Sequence, residues 1–316
     1  MQAVLVAGGA GFIGSHLCEE LLDTYKVICV DNLLTGDSVN LKSIQGNPNF
    51  QFVNHDITKP LPADLTSDFV FHLASPASPN HHSPISYHAL PMETMMVNTT
   101  GTLELLKFAE KNGARFLFAS TSEVYGDPKE SPQTEDYRGN VSTTGPRSIY
   151  DESKRFGETL VAYFQREKGL DSRTARIFNT YGPRILPKDM RMLTVFIEQA
   201  LKGEKITVFG EGDQTRSLCY VTDTVDGLIK LMFKDGVSGE VVNIGSGEEH
   251  SVMEYAQMVK DLTGSSSEIV NSEPLPKDDP KERKPDIEKA KRLLDWEPKV
   301  SLQDGIKKTI EYYKSL

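Results

Sequence analysis

The sequence predicts an α/β fold, a doubly wound parallel sheet with a smaller, partly interleaved C-terminal lobe, and three observations predict it. Strand-like and helix-like segments alternate through the first half, as parallel strands joined by crossover helices require. A glycine-rich turn links the first strand to the first helix within VAGGAGFIGSH at 6–16. Around Asn179 the alternation gives way to Pro- and Gly-punctuated stretches: YGPR at 181–184, LPKD at 186–189 and FGEGDQTR at 209–216.

In chain order, strands are expected at 3–7, 26–31, 50–53, 68–73, 115–119 and 173–177, and helices at 12–23, 94–112 and 151–168. Val4-Leu5-Val6 reads as a buried strand and Phe12 onward as a helix, with Gly8, Gly11 and Gly14 in the turn between them. Such a turn lets backbone approach a pyrophosphate and aims the positive end of the helix at it. The second strand, Val27 to Val30, ends in Asp31, seventeen residues after Gly14. That carboxylate can accept from both hydroxyls of an adenosine ribose and would repel a 2′-phosphate, so NAD is favoured over NADP. A dinucleotide-binding (Rossmann) unit is expected over 1–180 plus 213–247, and a second lobe over 181–212 plus 248–316. A second ligand belongs in the cleft between them.

Composition narrows the functional classes. At 316 residues, with 38% hydrophobic and 25% charged residues, the chain has ordinary globular character. No apolar run approaches the roughly 18–20 residues that span a bilayer, and Met1 leads straight into the first strand, so no membrane partner and no signal peptide are expected. Cys18, Cys29 and Cys219 are scattered and odd in number, which suits a reducing cytoplasm rather than a disulfide framework. A formal charge of −10 argues against a nucleic-acid partner. Any anionic ligand must then be met by local arginines.

Tyr150 and Lys154, in SIYDESKRFGET, are four apart on an expected helix and share a face. A tyrosine hydroxyl has a reference pKa of about 10, and a neighbouring ammonium favours the phenolate. The pair can then remove a hydroxyl proton while the same carbon is oxidised. Thr121 or Ser122, at the end of an expected strand, would bond the hydroxyl that Tyr150 deprotonates.

With these residues in place, the chain resembles the extended short-chain dehydrogenase/reductases that act on nucleotide sugars, and among them the UDP-glucuronate decarboxylases. GGAGFIGSHL, VDNLLTG, HLASPASP, ASTSEVYGDP, GPRSIYDESKR, ARIFNTYGPR, QTRSLCYVTDTVDGL, VNIGSGEE and LLDWEPKVSL carry the resemblance across nearly the whole length. It implies an NAD domain, a nucleotide-sugar lobe, a nucleotide-diphosphate sugar as substrate and a homodimer built through helices of the NAD domain. It assigns Tyr150 and Lys154 to oxidation, Thr121 and Ser122 to the sugar, and Glu123 to acid/base work near C5. Gly8, Gly11, Phe12, Ile13, Asp31, Asn32 and Ala74 join the cofactor set, with Asp56 and Ile57 flanking the adenine. Asn179 would meet the diphosphate, Arg216 and Arg283 the phosphates or the uridine end, and Ser78 and Arg191 the substrate. The implied chemistry is transient oxidation at C4, loss of the C5 carboxylate as carbon dioxide, and reduction back.

The same 4-keto intermediate serves 4,6-dehydratases, so dehydration of an NDP-hexose stays open, with 4-epimerisation behind it. Three departures fall near the sugar. The loop after HLASPASP carries about five extra residues relative to the resembled family, DMRMLT at 189–194 lacks the family's glycine, and IYDESK replaces its Cys-Tyr-Asp-Glu-Gly-Lys. A redox-sensing or scaffold protein on the same fold is the non-enzymatic alternative, but such proteins commonly lose the tyrosine or lysine kept here. His81 and His82 are adjacent, so their side chains are expected to diverge, and no metal is expected. Met92, Met95 and Met96 suit a core or dimer seam. The run PKDDPKERKPD at 276–286 reads as mostly solvated apart from Arg283, and Trp296 as a packing anchor.

Overall fold

The structure, a computed structural model, describes residues 1–276 and 279–316. The six expected strands form: β1 (Ala3–Ala7), β2 (Lys26–Asp31), β3 (Phe50–Asn54), β4 (Phe69–His72), β5 (Arg115–Thr121) and β6 (Ser172–Ile177); no helix separates β3 from β4. Shorter strands follow: β7 (Thr180–Tyr181), β8 (Ile206–Val208), β9 (Thr215–Ser217), β10 (Cys219–Tyr220), β11 (Val241–Ile244), β12 (Glu249–Ser251) and β13 (Ile269–Asn271). The main sheet is parallel throughout, in the order β11-β6-β5-β4-β1-β2-β3. The chain leaves β1 toward β2 on one side and returns to β4 on the other. Their C-terminal ends therefore flank a topological switch point, where such sheets bind ligands.

The helices are α1 (Phe12–Leu21), α2 (Pro91–Met96), α3 (Thr102–Asn112), α4 (Ser148–Lys168), α5 (Met192–Lys202), α6 (Val221–Phe233), α7 (Val252–Thr263), α8 (Glu288–Leu294) and α9 (Leu302–Lys314). Both faces of the sheet are covered, which is why its strands read as apolar runs rather than alternating ones. Successive residues serve opposite faces. Val4, Val6 and Leu117 pack with Leu17 of α1 and Leu228 of α6, whereas Leu5, Phe116 and Phe118 pack with Leu105 of α3 and Val161 of α4. The first core continues without a break into α5, α7 and α9 through Phe196, Tyr255 and Ile306. Trp296 is fully buried there and donates its indole N–H to the Asp223 carbonyl at 3.1 Å, as a packing anchor should.

Two details differ from expectation. The helix foreseen over 94–112 is α2, a π-helical turn at Val97–Gly101, and then α3. The π turn places Asn98 in the core, where its amide donates to Ser153 Oγ of α4 at 3.1 Å. Among its described residues the charged run at 276–286 is not mostly solvated either: only Lys281 and Glu282 are exposed. Asp279 and Arg283 are drawn into an ion-pair network; Lys277 and Asp278 lie outside the described residues. No described helix is long and apolar enough to cross a membrane.

Candidate active site

The turn after β1 is built for close approach. Gly8 has φ +82°, and a Cβ there would lie 2.6 Å from the Ala74 nitrogen at the end of β4; one at Gly14 would lie 2.1 Å from the Gly8 carbonyl oxygen. Backbone from β1, α1 and β4 can meet this tightly only without side chains. Gly11 caps α1 with no side-chain hydrogen bond, so the helix presents its first N–H groups to the cleft. Asp31, at the tip of β2, is buried and accepts from the Ala10 and Leu33 N–H groups at 3.0 and 2.8 Å. Burial pushes its pKa up and these two bonds pull it down, with a net rise. Asp31, Asn32, Asp56, Ile57 and Ala74 line one cavity with Gly8 and Gly11.

That cavity continues into a second, lined by Phe12, Ile13, Ser78, Thr121, Ser122, Glu123, Tyr150, Lys154, Asn179 and Arg191. Tyr150 and Lys154 face it from the first turns of α4, and Thr121 and Ser122 from the end of β5. Lys154 Nζ donates to the Ala119 carbonyl at 2.8 Å and lies 5.8 Å from the Tyr150 ring centre. Burial raises the Tyr150 hydroxyl above its ordinary value, opposed by a bond with Thr121. Burial also lowers Lys154, to about 7. Burial, with the Glu123 and Asp151 charges, outweighs the Thr121 bond and the Arg191 charge that favour the phenolate.

A third cavity adjoins through Asn179 and Arg191. Arg147, Arg216 and Arg283 lie on one side, with Leu193, Phe196, Phe209 and Leu275 among its apolar walls. At the junction stands Glu123, buried in the turn after β5. Arg147 Nη2 lies 2.7 Å from Oε2, Arg283 Nη1 lies 2.8 Å from Oε1, and Arg283 Nη2 lies 2.9 Å from Oε2. Asp279 ties Arg147 to Arg216, at 3.2 and 2.6 Å. Burial alone would raise the Glu123 carboxyl, but the two guanidiniums hold it down, at about 2. Next to it in space, Asp151 goes the other way. Burial and the Glu123 charge push it up to about 8, and its Oδ1 has no protein partner among the described residues.

The description "NAD dependent epimerase/dehydratase family" matches residues 4–245. The chain belongs to this family. It is 50% identical over 305 residues to UDP-glucuronic acid decarboxylase 3 of Arabidopsis thaliana, covering 96% of this chain and 86% of that protein. It is 48% identical over 314 residues to UDP-glucuronic acid decarboxylase 1 of Xenopus tropicalis, covering 99% and 72%. Among solved structures, UDP-glucose 4-epimerase of Thermotoga maritima, determined with UDP-glucose, superposes with a TM-score of 0.88 at 34% identity, covering 99% of each chain.

As in the rest of the family, the cofactor is NAD, and the residues present fit it. The glycine cradle leaves no room for a Cβ, the α1 N-terminus faces it, and the Asp31 carboxylate stands at the tip of β2. Every site residue expected from the sequence lines one of the three adjoining cavities. Ser78 does so with its hydroxyl already donating to the Asp189 carbonyl at 2.6 Å. Two site residues escaped the sequence reading. Arg147, buried between Glu123 and Asp279, lies three residues before Tyr150; in so acidic a chain, that spacing was the available signal. Tyr87 stacks on Tyr150, with centroids 5.0 Å apart and planes 10° apart, and its buried hydroxyl has no partner among the described residues. It comes from the enlarged loop after Ser78, and nothing in its local sequence marks it.

Proposed function

We propose that the protein decarboxylates UDP-glucuronate to UDP-xylose through a transient 4-keto sugar. NAD, when bound, supplies the reversible oxidation at C4. Tyr150 takes the C4 hydroxyl proton, Thr121 and Ser122 hold that hydroxyl, and Lys154 serves as its acid–base partner near neutrality. Once C4 is a ketone, the C5 carboxylate can leave as carbon dioxide. Its bonding electrons pass into the ketone as an enolate, which takes a proton from solvent at C5; as the oxidation at C4 runs in reverse, Tyr150 returns a proton to the C4 oxygen, giving UDP-xylose.

The clamp on Glu123 carries this reading. Dehydration requires a base to remove the C5 proton, and a carboxylate held at about 2 by two arginines is a poor one. Loss of carbon dioxide needs no base, because the departing carboxylate provides the electron pair. Glu123 is better placed to orient Arg147 and Arg283 than to trade protons, which departs from the acid/base role the resemblance implies. The similarity to UDP-glucuronic acid decarboxylases supports the same reading. The test is release of labelled carbon dioxide from carboxyl-labelled UDP-glucuronate in the presence of NAD; absence of label in the gas phase would overturn it.

Residues 1–180 with 213–247 would then hold NAD, and 181–212 with 248–316 the nucleotide. Arg216, Arg283 and Asn179 would meet the diphosphate and uridine end, and Arg191 and Ser78 the sugar end. Guanidinium pairs suit a diphosphate, which they can bind bidentately. A homodimer would form through α2 and α4, which expose Met92 (60%), Met96, Phe156 (50%) and Tyr163. Phe156 and Tyr163 are seven residues apart and so share one face of α4. Three buried, free cysteines suit the cytoplasm.

A further inference from the structure

His81 and His82 do not diverge. Both Nε2 atoms turn to one carboxylate, Glu273, at 3.5 and 3.1 Å, although the two segments are far apart in sequence. One ligand atom from each of the three residues falls within 4.8 Å of the others. Both backbones are anchored independently of this contact. On the histidine side, Asn80 Nδ2 donates to the Met190 carbonyl at 2.8 Å and its Oδ1 accepts from the His82 N–H at 2.9 Å, while Ser83 Oγ donates to the Lys188 carbonyl at 2.6 Å. On the other, Gly210 N–H donates to the Glu273 carbonyl at 2.7 Å. The Phe209 ring packs beside both imidazoles, with centroids 6.1 and 6.5 Å away.

We propose that His81, His82 and Glu273 form a binding site for a divalent transition-metal ion of the zinc class. Two imidazoles and a carboxylate are a known ligand set for zinc, with metal–ligand distances of about 2.0–2.2 Å; with the imidazoles 3.5 and 3.1 Å from the carboxylate and all three ligand atoms within 4.8 Å of one another, side-chain rotations can bring them onto one ion. Imidazole also suits copper and nickel, whereas magnesium and calcium prefer all-oxygen shells. The side chains are nearly half exposed, so the ion keeps one or more water ligands. A bare histidine–carboxylate pair this exposed contributes little to stability; a shared ion would tie the enlarged loop to the segment after β13, across the mouth of the arginine-lined cavity. The proposal does not depend on which sugar that cavity takes.

The experiment is a titration of the whole, metal-free protein with Zn2+ by calorimetry, alongside His82→Ala and Glu273→Gln, with hydrogen exchange of residues 79–88 measured with and without the ion. Because these side chains are surface groups, unchanged melting curves without metal will show that the variants fold. One equivalent of zinc bound by the native protein, at least tenfold weaker binding in each variant, and slower exchange in 79–88 on adding zinc are expected. Absence of stoichiometric binding at 100-fold excess, or equal binding in native and variant proteins, would overturn the site. The latter would place the ion elsewhere, for example at His250 with Glu248 and Glu254.

Discussion

Tyr150, Glu123 and Asp151 lie close together; burial raises the first and last, while Arg147 and Arg283 hold Glu123 down, so their protons sit in different states. Tyr150→Phe should retain NAD and lose turnover by about 10²–10⁴-fold, the usual worth of a positioned acid–base group. Bound NAD and initial rates on UDP-glucuronate are the readouts, and near-native turnover would remove Tyr150 from the mechanism. Asp151 makes a pH prediction. Its folded pKa of about 8 exceeds its reference value of 3.8. Below about pH 4 both folded and unfolded states hold the proton; as pH rises toward 8 the unfolded state releases it first, so this group costs stability. Asp151→Asn keeps the neutral form at every pH. Its Tm relative to the native protein should therefore climb between pH 4 and pH 8, and a flat difference would contradict the assignment. At this scale, residue types were legible but their charge states were not. Glu123 could be read as a candidate acid or base from STSE, yet its clamp comes from Arg147 and from Arg283, 160 positions away.

At the scale of elements, the turn between β1 and α1 decides whether the dinucleotide can bind. Gly8→Ala forces a side chain into a left-handed residue and against the Ala74 backbone, at a cost of about 1–3 kcal/mol from conformation alone. The variant should purify with little NAD and melt several degrees lower; normal NAD content would mean the cradle is looser than its geometry. This turn was readable because glycine spacing and strand hydrophobicity are local signals, and the first six strands were readable for the same reason. β11 was not predicted as a strand, since VVNI is short and earns its place only by pairing with β6. The π turn also escaped notice, because it depends on Asn98 reaching α4. The convergence of His81 and His82 on Glu273 is likewise a tertiary event, set by anchors at Met190 and Lys188 rather than by neighbours in sequence.

For the whole molecule, the proposed homodimer through α2 and α4 can be tested at their exposed faces. Phe156→Glu combined with Tyr163→Glu should convert a dimer to a monomer in sedimentation velocity, and an unchanged sedimentation coefficient would place the interface elsewhere. The central claim concerns what the assembled site does at C5, and it is tested most directly by proton NMR of the product formed from UDP-glucuronate with NAD in D2O. A decarboxylase that never deprotonates C5 gives UDP-xylose with one deuterium at C5, beside the hydrogen already there. Two deuteriums at C5, or a 4-keto-6-deoxy sugar formed instead from UDP-N-acetylglucosamine or dTDP-glucose, would show that the site removes the C5 proton and would contradict the account.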